Sequence, residues 1–152
     1  GRKTALTLSD SFCVDRYRDE FLALIKTGFI DILFANMHEL RALYETADLD
    51  TAIAALKQEN ILGVVTCSDQ GALIVENNEV IKAPAVAVEE VVDTTGAGDL
   101  FAAGFLFGYA RGLGSLNSAK LGALAASEII SHVGARPHHS LKDLARANGL
   151  LG

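Results

Sequence analysis

The sequence predicts an α/β fold with a mostly parallel sheet. Three observations lead there: short apolar runs alternate with amphipathic stretches, turn residues separate them, and half of the 152 residues are hydrophobic, enough for a sizeable core. The length suggests one domain. Residues 5–8 form a first apolar run and predict a strand. Residues 14–26 follow as an amphipathic helix with Phe21, Leu22, Leu24 and Ile25 on its apolar side. A second strand is predicted over 30–35. Two helical segments come next, 39–44 and 51–59, the latter starting at an Asp50 cap. Residues 61–66 return as a strand. Gly71, and then Asn77-Asn78 between runs 72–75 and 80–82, mark turns, and the second predicts a hairpin that adds antiparallel strands. Beyond Pro84 and the segment 86–92, helices are predicted over 100–111, 116–132 and Leu141–Ala147.

Charge and cysteine content narrow the function classes. A net charge of −6 without any Lys/Arg run argues against a nucleic-acid surface. Cys13 and Cys67 are too few and too far apart for a disulfide framework or a zinc pattern, which fits two buried, reduced thiols and a cytoplasmic setting. The most apolar stretch, residues 100–110, falls short of the ~20 residues a membrane helix needs.

The most informative string is Asp93-Thr94-Thr95-Gly96-Ala97-Gly98-Asp99, followed at once by an apolar helix. Glycine lacks a Cβ, so the turn can bend tightly and bring N–H groups close to a ligand. The N-terminal end of the following helix carries partial positive charge, which suits a phosphate. Asp99 beside that cradle could accept a proton from an attacking hydroxyl while the amides of Gly96, Ala97 and Gly98 hold the transferring group. An ordinary glycine-rich turn with an Asp favouring the helix dipole would look the same locally.

The whole string, extended through Ala103, Gly104, Phe105 and Leu106, resembles the C-terminal signature of the ribokinase-like (PfkB) kinases of sugars and nucleosides. The resemblance implies a three-layer fold, with Asp99 as catalytic base and Gly96, Ala97 and Gly98 as the anion hole. It makes Asp93 and Thr95 candidates for a monovalent-cation site holding K+. A satisfied loop hydrogen bond is the alternative for both residues.

Sheets of this kind bind ligands outside the carboxyl ends of their strands, so polar residues after each run are of interest. Asn36-Met37-His38-Glu39 resembles the family's Asn-x-x-Glu element near the ATP phosphates, with Glu39 reaching Mg2+ through water. An Asn36 cap matched by Glu39 fits the same residues, and both can hold together. Thr66-Cys67-Ser68-Asp69-Gln70-Gly71 resembles the Thr-x-Gly-x-x-Gly nucleotide loop, making Thr66, Ser68 and Gly71 ATP-binding candidates. Ser68 stands where the pattern has glycine. The plain alternative is a strand-ending turn.

Gly134-Ala135 in the segment 131–137 resembles the element that closes the nucleotide and cation region, although a helix-ending Gly134 with Pro137 beyond it is favoured. His138 and His139 lack partners at metal spacing and read as a solvated loop. Phe101, Phe105 and Phe107 are expected in the core.

Family members are about twice this length, so the expectation is the C-terminal nucleotide-binding and catalytic part, residues 1–152, of a larger kinase whose N-terminal half and lid are missing. Residues 8–12 and the stretch from Asp31 through Phe34, Asn36 and Glu39 look most like adenosine kinases and their bacterial sugar-kinase relatives. The implied reaction transfers the γ-phosphoryl of MgATP to a primary hydroxyl of a nucleoside, adenosine above all, or of a sugar. No nucleic-acid or membrane partner is expected. The apolar surface a missing half would expose could be covered by a partner, a homodimer being one arrangement.

Overall fold

Caps set the boundaries of the helices. In the computed structural model, which describes residues 2–152, strand β1 (Ala5–Thr7) leads to Asp10, whose carboxylate accepts the Cys13 N–H at 2.7 Å and starts helix α1 (Ser11–Lys26) earlier than the apolar pattern suggested. Val14 and Ile25 are buried, Phe21 and Leu22 pack against the core, and Leu24 is exposed, contrary to expectation. A kink at Tyr17 rotates the helix face partway along, which a uniform helical period does not capture.

Strand β2 (Ile32–Asn36) feeds α2 (Met37–Leu43), and α3 (Leu49–Lys57) feeds β3 (Leu62–Thr66). Asp48 caps α3, not Asp50: its Oδ2 accepts the Thr51 N–H at 2.9 Å and the Thr51 hydroxyl at 2.6 Å, leaving Asp50 inside the first turn. A 3₁₀ turn (Ser68–Gln70) precedes the hairpin β4 (Ala72–Glu76) and β5 (Glu79–Ala83). Asn77 and Asn78 both take positive φ, 51° and 64°, as a tight two-residue hairpin turn requires.

The five strands lie in the order β1-β2-β3-β4-β5. β1 and β2 pair in parallel, as do β2 and β3, while the two-residue turn makes β5 antiparallel to β4. Asn36 and Thr66 are register partners, so the chain leaves β2 and β3 at the same edge of the sheet.

The chain divides into two compact units. The first runs through Cys67 and includes Leu73–Ile81; its core gathers Leu8, Val14, Leu33, Leu40, Leu43, Leu56 and Val75. Burying each such side chain contributes about 1.5–3 kcal/mol.

The second unit, Ser68–Ala72 with Lys82–Gly152, holds α4 (Ala97–Ala110), α5 (Gly114–Ile130) and α6 (Leu141–Ala147). α4 and α5 meet backbone to backbone: a Cβ on Gly104 would stand 2.7 Å from the Leu121 carbonyl oxygen, and one on Gly122 would stand 2.7 Å from that of Phe101. Phe101 and Phe105, one turn apart, are buried as expected. Phe107 is not. It projects from the far side of α4, where the Arg111 guanidinium lies 3.7 Å from its ring centroid. Cys67 is buried and Cys13 only partly so, and neither is bonded to another cysteine. No described helix is long and apolar enough to cross a membrane.

Candidate active site

Candidate residues occur in both units: Asn36, Glu39 and Thr66 in the first, and Ser68, Gly71 and the glycine turn in the second. In the first unit the carboxyl edge of the sheet carries Asn36, Glu39 and Thr66. Asn36 Oδ1 accepts the N–H groups of His38 and Glu39 at 2.9 and 2.8 Å, and Glu39 Oε2 accepts the Asn36 N–H at 2.8 Å, a complete capping box. The second Glu39 oxygen accepts Asn36 Nδ2 at 3.0 Å. Burial raises the pKa of Glu39; the Asn36 amide opposes that shift and the negative charge of Asp10 adds to it. Both Glu39 oxygens are thus engaged by Asn36, and the Asp10 carboxylate caps α1. Among the described residues no three His, Cys, Asp or Glu side chains converge as a metal cage.

Thr66 ends β3, and the loop after it is strained in a defined way. Ser68, at the position where the nucleotide-loop pattern has glycine, takes φ +53°, and its carbonyl accepts the Gly71 N–H at 3.2 Å. Gly71 has φ +89° and lies so close under the chain after β5 that a Cβ there would come within 2.1 Å of the Ala83 carbonyl oxygen. Its lack of a side chain is therefore a packing requirement.

In the second unit the glycine turn and α4 are more closely joined than the sequence suggested. Gly96, at φ +81°, is the N-cap, so Ala97 and Gly98 are already helical and Asp99 is the third residue of α4. The Gly96 carbonyl accepts the Leu100 N–H at 2.9 Å, which closes the first helical turn. The Ala97 N–H donates to the Thr94 carbonyl at 3.2 Å, whereas the N–H groups of Gly96, Gly98 and Asp99 have no acceptor among the described residues. Space beside Gly98 is open, with no atom within 4 Å of a Cβ built there. Asp99 is exposed, and its carboxylate has no hydrogen-bond partner among the described residues. Cα–Cβ bonds in a helix tilt toward its N-terminus, so the Asp99 side chain starts out toward the end of α4 that carries the unpaired amides.

Asp93 holds the turn from below. Its Oδ1 accepts the Thr95 N–H and hydroxyl at 2.9 and 2.7 Å, and its Oδ2 accepts the Gly134 N–H at 3.0 Å. These bonds, led by that from Gly134, draw its pKa down to about 2. Gly134 does not end α5: Ser131 is the C-cap, and Gly134 lies beyond it at φ +102°. Ala135 then abuts the turn, its Cβ 3.1 Å from where a Gly96 Cβ would stand.

Glu128 was missed in the sequence, although it is the one charged residue in the stretch 121–131. It is buried near the end of α5, and its Oε1 accepts the N–H groups of His138 and His139 at 2.8 and 2.9 Å. The same oxygen lies 3.2 Å from His132 Nε2 and from His139 Nδ1. Burial alone would raise its pKa, but these four contacts, the His139 amide foremost, hold the carboxyl below its ordinary value. The two histidines after Pro137 are thus anchored through their backbone, and the His138 ring stacks on His132 at 3.5 Å between centroids.

Comparison with known proteins identifies the family and the fold. The chain is 48% identical to the probable sugar kinase protein of Rhizobium etli CFN 42, with a TM-score of 0.97 over 99% of this chain and 46% of that one. It is 52% identical to the adenosine kinase of Sinorhizobium meliloti, with a TM-score of 0.95 over 97% of this chain and 45% of that one. Ribokinase of Arabidopsis thaliana, solved with ribose and ATP, is 27% identical, with a TM-score of 0.71 over 81% of this chain and 41% of that one. The chain therefore spans less than half the length of each of these relatives. The mostly parallel, helix-flanked sheet is the ribokinase-like fold. The family model for pfkB carbohydrate kinases matches residues 2–141, and the chain belongs to that family.

Proposed function

We propose that this chain carries the phosphoryl-transfer centre of an ATP-dependent kinase that phosphorylates a primary hydroxyl of a nucleoside, adenosine first, or of a sugar. One observation carries the reading: a carboxylate without a hydrogen-bond partner stands at the third position of α4, in the same first turn as N–H groups that have no acceptor. Asp99 takes the proton of the acceptor hydroxyl as its oxygen bonds to the γ-phosphorus. The bond from that phosphorus to the bridging oxygen breaks, and ADP leaves with the electron pair. Negative charge growing on the transferring group meets the Gly96 and Gly98 amides and the positive end of the helix. Ala97 joins them only by sharing or lengthening its bond to Thr94.

The relatives' names support a nucleoside or sugar acceptor, and the Arabidopsis complex supports ATP. In the first unit, Asn36 and Glu39 are proposed for the ATP phosphates and for Mg2+, Glu39 acting through water. Magnesium would supply charge neutralisation on the phosphate oxygens. Thr66, Ser68 and Gly71 are proposed for nucleotide binding. Asp93 and Thr95 keep a K+ role only through lone pairs left over from their bonds to one another and to Gly134.

The test is Asp99→Asn in the full-length protein. ATP affinity should stay within a few-fold of wild type, while kcat falls about 10²–10⁴-fold. Wild-type turnover in that variant removes Asp99 as the base. Because the chain spans under half of its relatives, a second reading is that this segment alone binds ATP and transfers nothing. Calorimetry with ATP beside a transfer assay on residues 1–152 separates the two.

A further inference from the structure

The segment 132–139 is a strap with two anchors. At one end Asp93 accepts the Gly134 N–H at 3.0 Å. At the other, Glu128 Oε1 accepts two consecutive backbone N–H groups, His138 at 2.8 Å and His139 at 2.9 Å, with the His132 and His139 rings both at 3.2 Å. Ala135 sits between the anchors, against Gly96. The chain entering the glycine turn is held to the same region, since the Val92 N–H donates to the Ile130 carbonyl at 2.8 Å.

Glu128 is an expensive way to hold a loop. Its side chain is 4% exposed, and its Oε2 is buried without a hydrogen-bond partner among the described residues. A buried carboxylate with one idle oxygen costs desolvation free energy that only the donors on the other oxygen offset. A neutral acceptor could have satisfied two amides. Several short bonds converging on one charged atom instead fix the path of residues 137–139, and with it the position of Ala135 on the turn.

We propose that Glu128 is a positioning residue for phosphoryl transfer: by clamping the His138 and His139 amides it holds Ala135 against Gly96 and keeps the amides of the glycine turn aimed at the transferring group. This rests on the reading of the glycine turn as the anion hole. Glu128 itself touches no reactant. Its loss is therefore expected in kcat more than in the KM for ATP, because a loosened turn still binds nucleotide but no longer meets the developing charge at the right distance.

The experiment compares Glu128→Ala, Glu128→Gln and Asp99→Asn in the full-length protein, reading steady-state kinetics and amide hydrogen exchange at Gly134, His138 and His139. Glu128→Ala should lower kcat about 10–100-fold with less than about threefold change in the KM for ATP. Exchange at His138 and His139 should quicken at least about tenfold. Glu128→Gln keeps an oxygen acceptor for both amides and should retain kcat within about fivefold of wild type. Asp99→Asn should lower kcat about 10²–10⁴-fold and leave exchange at 138 and 139 unchanged. If Glu128→Ala does not fold, Glu128→Asp replaces it; its oxygen is withdrawn by one methylene, and kcat should fall at least about fivefold. Wild-type kcat in Glu128→Ala or Glu128→Asp, or unaltered exchange at both histidine amides, overturns the clamp. A wild-type protein that transfers no phosphoryl group overturns the functional reading as well, a result distinct from an active wild type whose Glu128 variants are equally active.

Discussion

Asp93 accepts the Gly134 amide at 3.0 Å across 41 residues of chain, and with its other oxygen it accepts both the amide and the hydroxyl of Thr95. One carboxylate thus ties the start of the glycine turn to the loop beyond α5. Its folded pKa is about 2 against an ordinary 3.8, so the sign of its pH dependence follows. The stabilisation is complete above about pH 5 and disappears as the pH falls through the ordinary value toward 2. Melting temperatures of wild type and Asp93→Asn should differ most near neutrality and converge toward pH 2. A constant gap across that range would show that the Asp93 charge is not what holds the loop.

Gly98 separates a structural turn from an anion cradle. A Cβ there meets no atom within 4 Å, and the residue is helical, so Gly98→Ala should keep or raise stability, by up to about 1 kcal/mol. Under the proposed function the added methyl intrudes on the approaching phosphate, and kcat/KM for ATP should drop at least about tenfold. Thermal melts and initial rates on the full-length protein check both halves. Unchanged kinetics in a stable variant would mean that no ligand approaches this backbone.

Gly71 and Ser68 should respond very unequally to substitution. A Cβ on Gly71 would stand 2.1 Å from the Ala83 carbonyl oxygen and 2.7 Å from the Ala85 nitrogen, at φ +89°, so Gly71→Ala should cost about 3 kcal/mol or more. Ser68 already occupies the left-handed region at φ +53°, where glycine is freer, so Ser68→Gly should change stability by less than about 1 kcal/mol. Urea denaturation measures both.

Asn36 and Glu39 form the capping box of α2, and Asn36→Ala should cost about 1 kcal/mol by the same measurement. Glu39→Gln keeps an acceptor for the Asn36 amide and should be nearly as stable as wild type. If Glu39 also serves magnesium, that variant needs more Mg2+ for half-maximal transfer. An unaltered Mg2+ titration would leave Glu39 as a cap alone.

Much of the candidate site is legible in sequence because its signals are local. The Asn36 box and the Asn77-Asn78 turn act within a few residues and are read from spacing, whereas the string Asp93 through Asp99 took its reading from resemblance to a family signature. Asp10, Asp48 and Ser131 moved helix boundaries because a hydrogen-bonding side chain or the last helical carbonyl, not the apolar period, sets where a helix starts and stops. Phe107 was misplaced because a helix apolar on every side does not announce which face is covered.

What the amino-acid order determined by itself is the alternation of strands and helices, the family signature and the residue types gathered at the glycine turn. Tertiary structure alone decided that Asp93 takes the Gly134 amide, that Gly104 and Gly122 let α4 and α5 touch, and that Glu128 binds the strap beyond α5. The division has a physical cause. Propensity and capping are properties of neighbours along the chain, whereas which donor meets which acceptor 10 or 41 residues away depends on packing that leaves no periodic trace in sequence.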